Sequence, residues 1–229
     1  MKSFSFDELP GVSEAQMREV DRLMIDDFHI NLLQMMENAG RNLAELSLRA
    51  FAPAGVLVLA GSGGNGGGGL VAARHLTNRG VPVAVALSHD EATMTPVARH
   101  ELDVLARMDV TLLNQPDSAD LIIDALIGYS LHGNPSGRTA ELINWANEQG
   151  GPVLSLDVPS GLDVTTGTPS NPCVSAAATM TIALPKLGLR HVRVGHLYVA
   201  DISVPAALYR QLDLHMPVLF RDDTLVRIN

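Results

Sequence analysis

"LAGSGGNGGGGLVAARHL", residues 59–76, decides how this chain is read. It holds seven glycines in the nine positions Gly61–Gly69, after the apolar run GVLVLA (55–60) and before the helix-like LVAARHLTNRG (70–80). Glycine inside regular structure costs about 0.5–1 kcal/mol relative to alanine. So dense a run is either a flexible linker or a loop that needs bare backbone. The flanking elements favour the loop. A continuous apolar run suits a strand covered on both faces. A strand, a glycine loop and a helix in that order can bring backbone N–H groups to a phosphate at the helix N-terminus. G-S-G-G-N-G is also a literal GxGxxG. No Lys-Ser/Thr pair follows, so this is not a Walker A loop. A dinucleotide-dependent dehydrogenase wants an acid at the end of the next strand, and Asp90 and Glu91 sit late for that role.

Outward from the loop, the pattern alternates. Upstream, GVSEAQMREVDRLMIDDFHI reads as a helix with Ser13 as N-cap and Met17, Val20, Met24 and Phe28 on one face. A second helix, NLLQMMENAGRNLAELSLRAF, turns Leu33, Met36, Leu43 and Leu46 inward. Gly80 closes the helix that follows the glycines. Downstream come the strand VPVAVALS, the helix TPVARHELDVLARM with Pro96 in its first turn, the strands DVTLL and ADLIIDALIG, and the helix SGRTAELINWANEQGG ending at glycine. PVLSLDV, ATMTIAL and HLYVADI are further strands. Buried-type strands alternating with helices predict an α/β fold with a doubly wound, parallel sheet. No linker, repeat or low-complexity tract divides the chain, so one domain over 1–229 is expected.

Composition narrows the function. A net charge of −9 and 4% aromatic residues supply neither a basic stripe nor a stacking platform for nucleic acid. The one cysteine, Cys173, cannot make a disulfide within the chain. The first residues show no apolar signal segment, and no run reaches the length of a membrane span. A cytoplasmic protein is expected. The histidines show no zinc-site spacing.

Two more loops belong at the carboxyl ends of strands, where ligands of such sheets sit. In IIDALIGYSLHGNPSG, Asp124 ends an apolar strand, and Gly128 and Gly133 suggest close backbone approach. The same Asp124 also suits a helix cap or a turn. In LSLDVPSGLDVTTG, Asp157 precedes the rigid Pro159-Ser160-Gly161 turn, a fitting place for an acid, a base or an ion ligand. Asp163 reads as a turn residue. Lys186, just after a strand in ALPKLGL, reads as a solvated lysine.

Taken together, the ordered motifs resemble the NAD(P)H-hydrate epimerase family, the YjeF-type N-terminal domain. SEAQMREVDRL…LLQMMENAGRNLAE resembles its opening helix pair and MENAG motif. VLVLAGSGGNGGGGLVAARHL resembles its GPGNNGGDGLVAARHL loop. DALIGYSLHG, SLDVPSGLDVTTG and PKLGL resemble its remaining loops, and the likeness runs from about residue 13 to about residue 205. The resemblance implies a three-layer α/β/α Rossmann-like fold and a homodimer. It implies a hydrated NADH or NADPH as substrate, whose R and S epimers are interconverted, with a separate dehydratase consuming the product. It also implies a potassium ion held by Asn65, Asp124 and Ser160. Asp157 would contact the substrate and transfer the proton. Gly64, Asn65, Gly66, Gly67 and Gly68 of the first loop would hold the dinucleotide. So would Gly128, Tyr129, Ser130, Leu131, His132, Gly133 and Asn134 of the second. The dimer is expected through the two N-terminal helices, whose residues 17–46 are rich in Met and Leu. The chain departs from the family pattern where Gly64 and Gly68 replace an Asn and an Asp, and where Tyr129-Ser130 replace Thr-Gly. These departures suit an alternative, a catalytically impaired nucleotide-binding or dimerisation scaffold of the same fold.

Overall fold

The computed structural model describes residues 1–229. The strands are β1 (Ser3–Phe4), β2 (Val56–Ala60), β3 (Val83–Leu87), β4 (Thr111–Leu112), β5 (Leu121–Ala125), β6 (Val153–Leu156), β7 (Ala178–Ile182), β8 (His196–Ala200) and β9 (Leu225–Ile228). The helices are α1 (Glu14–Asp26), α2 (Leu32–Ala50), α3 (Gly64–Thr77), α4 (Pro96–Ala106), α5 (Gly137–Glu148) and α6 (Ala206–Gln211). All nine strands form one sheet in the order β1-β9-β8-β7-β6-β5-β2-β3-β4, and only the β8–β9 pair is antiparallel. Every residue of β2, β5 and β6 is buried, as strands covered on both faces require, the polar Asp124 and Ser155 included. The expected α/β fold with a mostly parallel sheet is present.

Two layers cover the sheet. Side chains of α2, α3 and α4 pack on one face against Val58, Ile123 and Leu156. On the other face, Leu142, Ile143 and Ala146 of α5 meet Leu57, Leu59 and Ile122. α1 and α6 share a further cluster with Met35 and Ala39 of α2. The helix starts follow side-chain chemistry. Ser13 with Gln16, and Asn31 with Gln34, form reciprocal capping boxes, and Thr95 caps α4 ahead of Pro96.

Three details differ from the sequence reading. Leu33 is exposed, and Met35 shares the inward face with Met36, Leu43 and Leu46 instead. α5 ends at Gln149, which caps it in extended backbone ahead of the glycines. The largest difference is in the glycine run. Gly64–Gly69 is not loop: it forms the first turns of α3, and only Gly61–Gly63 links β2 to the helix. None of these glycines has a positive φ, so packing explains them. A Cβ on Gly66 would lie 1.9 Å from the carbonyl oxygen of Gly61. Gly40 of α2 meets α3 at Val71 and the Gly68 carbonyl, where its own Cβ would come within 2.4 and 2.6 Å. The glycines let the helix lie against the sheet and against α2 at backbone distance.

Candidate active site

The chain runs from β2 to β3 on one side, then returns to place β5 on the other side of β2. That reversal is a topological switch point, where open α/β sheets leave a crevice beyond the strand ends. The crevice is present as a cavity of about 580 Å³. Its walls come from the β2–α3 turn, the loop after β5, the end of β6, and helices α1 and α2. The turn and the β5 loop touch backbone to backbone: a Cβ on Gly61 would lie 1.9 Å from the Leu126 carbonyl oxygen.

At one wall, Ser62, Gly63 and Gly64 present the start of α3. Gly63 makes no side-chain cap, so the first N–H groups of the helix keep no protein partner from that cap. Unpaired N–H groups and the positive end of the helix dipole favour an anion there.

Asp157 stands at the floor, directly after β6. It is buried, and its backbone takes a left-handed φ of 68°, a conformation Asp tolerates better than most residues. The carboxylate is held on several sides. The Tyr129 N–H donates to Oδ2 at 3.0 Å, the Thr181 hydroxyl approaches Oδ1 at 3.4 Å, and the Lys186 ammonium bonds Oδ1. Lys186 is not solvated as its position after a strand suggests. It is completely buried, and it also donates to Thr181 Oγ1 and to the Ile182 carbonyl, both at 2.9 Å. A lysine buried this deeply requires a charge partner, and the strand-end carboxylate supplies it.

Behind the cavity wall lies a second carboxylate, Asp124 of β5, fully buried. Its Oδ1 accepts from the Ser160 hydroxyl at 2.6 Å and its Oδ2 from the Ser160 N–H at 2.9 Å and the Ser155 hydroxyl at 2.8 Å. Burial pushes the Asp124 carboxyl above its ordinary value, against the pull of these hydrogen bonds. Asn65 donates to the Leu156 carbonyl at 3.2 Å, and its side-chain oxygen faces Gly128.

A third carboxyl, Asp21 of α1, lines the cavity from above. It accepts the Tyr129 hydroxyl at 2.5 Å, and the Arg18 guanidinium lies 5.8 Å from the Tyr129 ring centre. Burial raises the Asp21 carboxyl, partly offset by the Tyr129 hydrogen bond.

Of the residues expected from sequence, Gly64, Asn65, Gly68, Gly128, Tyr129, Ser130, Leu131, His132, Asn134 and Asp157 line the cavity. Gly66 and Gly67 do not: their Cβ positions would meet Gly61 and Met36 inside the fold. Gly133 is a left-handed turn residue outside the lining, and Asp124 and Ser160 sit behind it. Asp163 accepts the Thr165 and Thr166 N–H groups, a turn. The sequence reading missed Asp21, which looks like one polar residue on an amphipathic helix. It also discounted Lys186, whose signal was the PKLGL segment.

The fold and the crevice define an α/β protein of the Rossmann-like kind, with an uncapped helix start and buried carboxyls around one cavity. The chain belongs to the family described as YjeF-related protein N-terminus, whose model matches residues 32–188. It is 46% identical over 206 residues to the NAD(P)H-hydrate epimerase of Dehalogenimonas lykanthroporepellens, covering 86% of this chain and 84% of that protein. It is 37% identical to the bifunctional NAD(P)H-hydrate repair enzyme Nnr of Moorella thermoacetica, covering 86% of this chain and 41% of that longer protein. The crystal structure of the yeast protein ynu0 superposes with a TM-score of 0.85 at 26% identity, covering 96% of this chain and all of that one.

Proposed function

We propose that this chain is an NAD(P)H-hydrate epimerase, an isomerase acting on the hydrated nicotinamide ring of NADH or NADPH. The observation that carries the reading is Asp157: a buried carboxylate, ion-paired with Lys186, at the floor of a cavity whose rim is an uncapped helix N-terminus. The family relatives named as epimerases support it.

The chemistry follows from the substrate. Water adds to the enamine of a dihydronicotinamide so that the hydroxyl sits on the carbon beside the ring nitrogen. That carbon inverts when its hydroxyl leaves as water, with the nitrogen lone pair forming C=N, and water returns on the other face. Each half needs a proton moved at the oxygen. Asp157 is placed to do this on the face it meets, held in one orientation by the Tyr129 N–H and Lys186. The start of α3 binds phosphate through its N–H groups. Loop Gly128–Asn134, most of which lines the cavity, would hold the dinucleotide.

Potassium belongs to the same reading. Asp124 is a buried carboxylate with no cationic side chain bonded to it, beside the oxygens of Ser160 and Ser155, a donor set that suits a hard cation. Asp124, Ser160 and Asn65 would hold the ion, and it would supply positive charge that fixes the loops around the substrate.

In this reading the protein is cytoplasmic and a separate dehydratase consumes the product, as the bifunctional relatives that carry the longer chain suggest. No helix of the structure is long and apolar enough to cross a membrane. A homodimer across α1 and α2 is also proposed. Most of the Met and Leu residues that suggested it from sequence are buried in the chain's own core, so the support is narrower: Ile25 and Leu33 remain exposed on those helices.

The test is epimerisation of R-hydrated NADPH, coupled to a dehydratase that consumes only the S form, against a protein-free control. Asp157→Asn lowers the rate by about 10²–10⁴-fold, the usual share of a positioned acid–base group. Nucleotide affinity changes by no more than about tenfold, or 1.4 kcal/mol. An equally fast Asp157→Asn overturns the assignment. A wild type that binds nucleotide yet matches the control supports a scaffold instead.

A further inference from the structure

Inversion at one carbon has a geometric demand that Asp157 does not meet alone. The oxygen departs from one face of the ring and the new oxygen arrives on the opposite face. A proton must be given on one side and taken on the other. Asp157 stands at the strand end and faces the cavity from the sheet. The other carboxyl lining the cavity is Asp21, which comes from α1, a different element packed beyond the strand ends.

Tyr129 connects the two. Its main-chain N–H donates to Asp157 Oδ2 at 3.0 Å, and its phenol hydroxyl donates to Asp21 Oδ2 at 2.5 Å. One tyrosine therefore spans from the first carboxyl to the second and fixes both. Oδ1 of Asp21 has no protein donor, and Asp21 makes no salt bridge, whereas Asp157 is paired with Lys186. The charged groups around Asp21 are Arg18, Lys186 and Asp157, and the neutral Tyr129 phenol is its hydrogen-bond donor. Arg18 is committed to Glu14 through two hydrogen bonds, at 3.0 and 2.7 Å. Burial holds Asp21 toward its protonated form. The two carboxyls thus differ in environment in the way that separates an acid from a base.

Building on the epimerase reading, we infer that Asp21 is the second catalytic residue and serves the ring face opposite Asp157. In one direction Asp21 gives its proton to the departing hydroxyl. The C–O bond breaks, the nitrogen lone pair forms C=N, and water leaves. A water on the other face then loses a proton to Asp157 as its oxygen bonds the carbon, and the C=N electron pair returns to nitrogen. One water leaves and one enters, with no change of oxidation state. Exchange with cavity water resets the two protons, and the roles swap in the reverse direction. Tyr129 is a positioning residue.

The experiment compares wild type, Asp21→Asn and Asp21→Ala in water enriched in ¹⁸O. It reads inversion and isotope uptake into each epimer, with protein-free controls. The expected result for Asp21→Asn is inversion slowed by about 10²-fold with KM within a few-fold. Uptake of ¹⁸O into the epimer served by Asp157 persists, because departure and return on that face do not need Asp21. Asp21→Ala loses inversion similarly and regains part of it with added formate. A wild type that inverts well beside an equally fast Asp21→Asn overturns the inference alone. So does a variant that loses inversion and uptake into both epimers together with no rescue by formate, since that is a structural effect. A wild type no faster than the control overturns the epimerase reading, and this inference with it.

Discussion

Two neighbouring glycines of one helix should respond to alanine with opposite signs. Gly64 is the first residue of α3, is exposed, and its added Cβ would find Met36 Cε at 3.5 Å, an ordinary contact. Gly64→Ala restricts the unfolded chain and improves helix propensity, a gain of up to about 1 kcal/mol. Gly66 is two residues on and buried, and its Cβ would lie 1.9 Å from the Gly61 carbonyl oxygen and 2.6 Å from its carbon. Both atoms are backbone, in a turn that is itself pressed against Leu126. No rotamer change relieves the clash, so α3 must move off the sheet or the turn must open. Overpacking of this kind costs about 1–3 kcal/mol and more where backbone must shift. The cost here lies at the upper end of that range, because both contacts are backbone, so a propensity gain of up to about 1 kcal/mol offsets only part of it. For a chain of this size each kcal/mol moves Tm by about 2–4 °C. Gly64→Ala should raise Tm by up to about 4 °C, and Gly66→Ala should lower it by about 4 °C or more. Thermal unfolding by circular dichroism, with urea titration as a second measure, reads both. Equal stability of Gly66→Ala and wild type, or shifts of the same sign, would refute the packing account of the glycine run.

Lys186→Met strands the buried Asp157 charge and should cost about 3–5 kcal/mol, read as a fall in urea midpoint. Adding Asp157→Asn to it should recover part of the loss, and a Lys186→Met variant within 1 kcal/mol of wild type would contradict the ion pair. Replacing tetramethylammonium by potassium at constant ionic strength should raise Tm, by the equivalent of about 2.7 kcal/mol at a hundredfold excess over Kd, and Asp124→Asn should abolish the response. A Tm indifferent to potassium argues against the ion. Light scattering should show a dimer, and Ile25→Asp with Leu33→Asp should yield a folded monomer. A monomeric wild type at micromolar concentration removes the α1–α2 interface.

What the residues determine by themselves is the alternation of elements and the places where they end. Val56–Ala60 is a strand because a continuous apolar run of that length is stable only when covered on both faces. Ser13, Asn31 and Thr95 start helices because their side chains satisfy local N–H groups within a turn. Asp124 and Asp157 were legible as strand-end carboxylates for the same reason: a strand's end is written in its own sequence, and the structure puts Asp157 in the cavity lining and Asp124 behind it. The glycine run marked the junction of β2 and α3 but suggested the wrong conformation. Glycine's tolerance for turns is a local property, whereas closeness to Gly61, Val71 and Met36 exists only after α2, α3 and the sheet have assembled. Lys186 and Asp21 show the same limit more sharply. Alone in sequence, a lysine after a strand and an aspartate on an amphipathic helix both favour water. Lys186 is driven inward by a partner 29 positions away, and Asp21 is held in the cavity by a hydroxyl 108 positions away. The burial of a charge depends on which opposite charge or donor the fold delivers to it, and that is a property of three-dimensional contact alone.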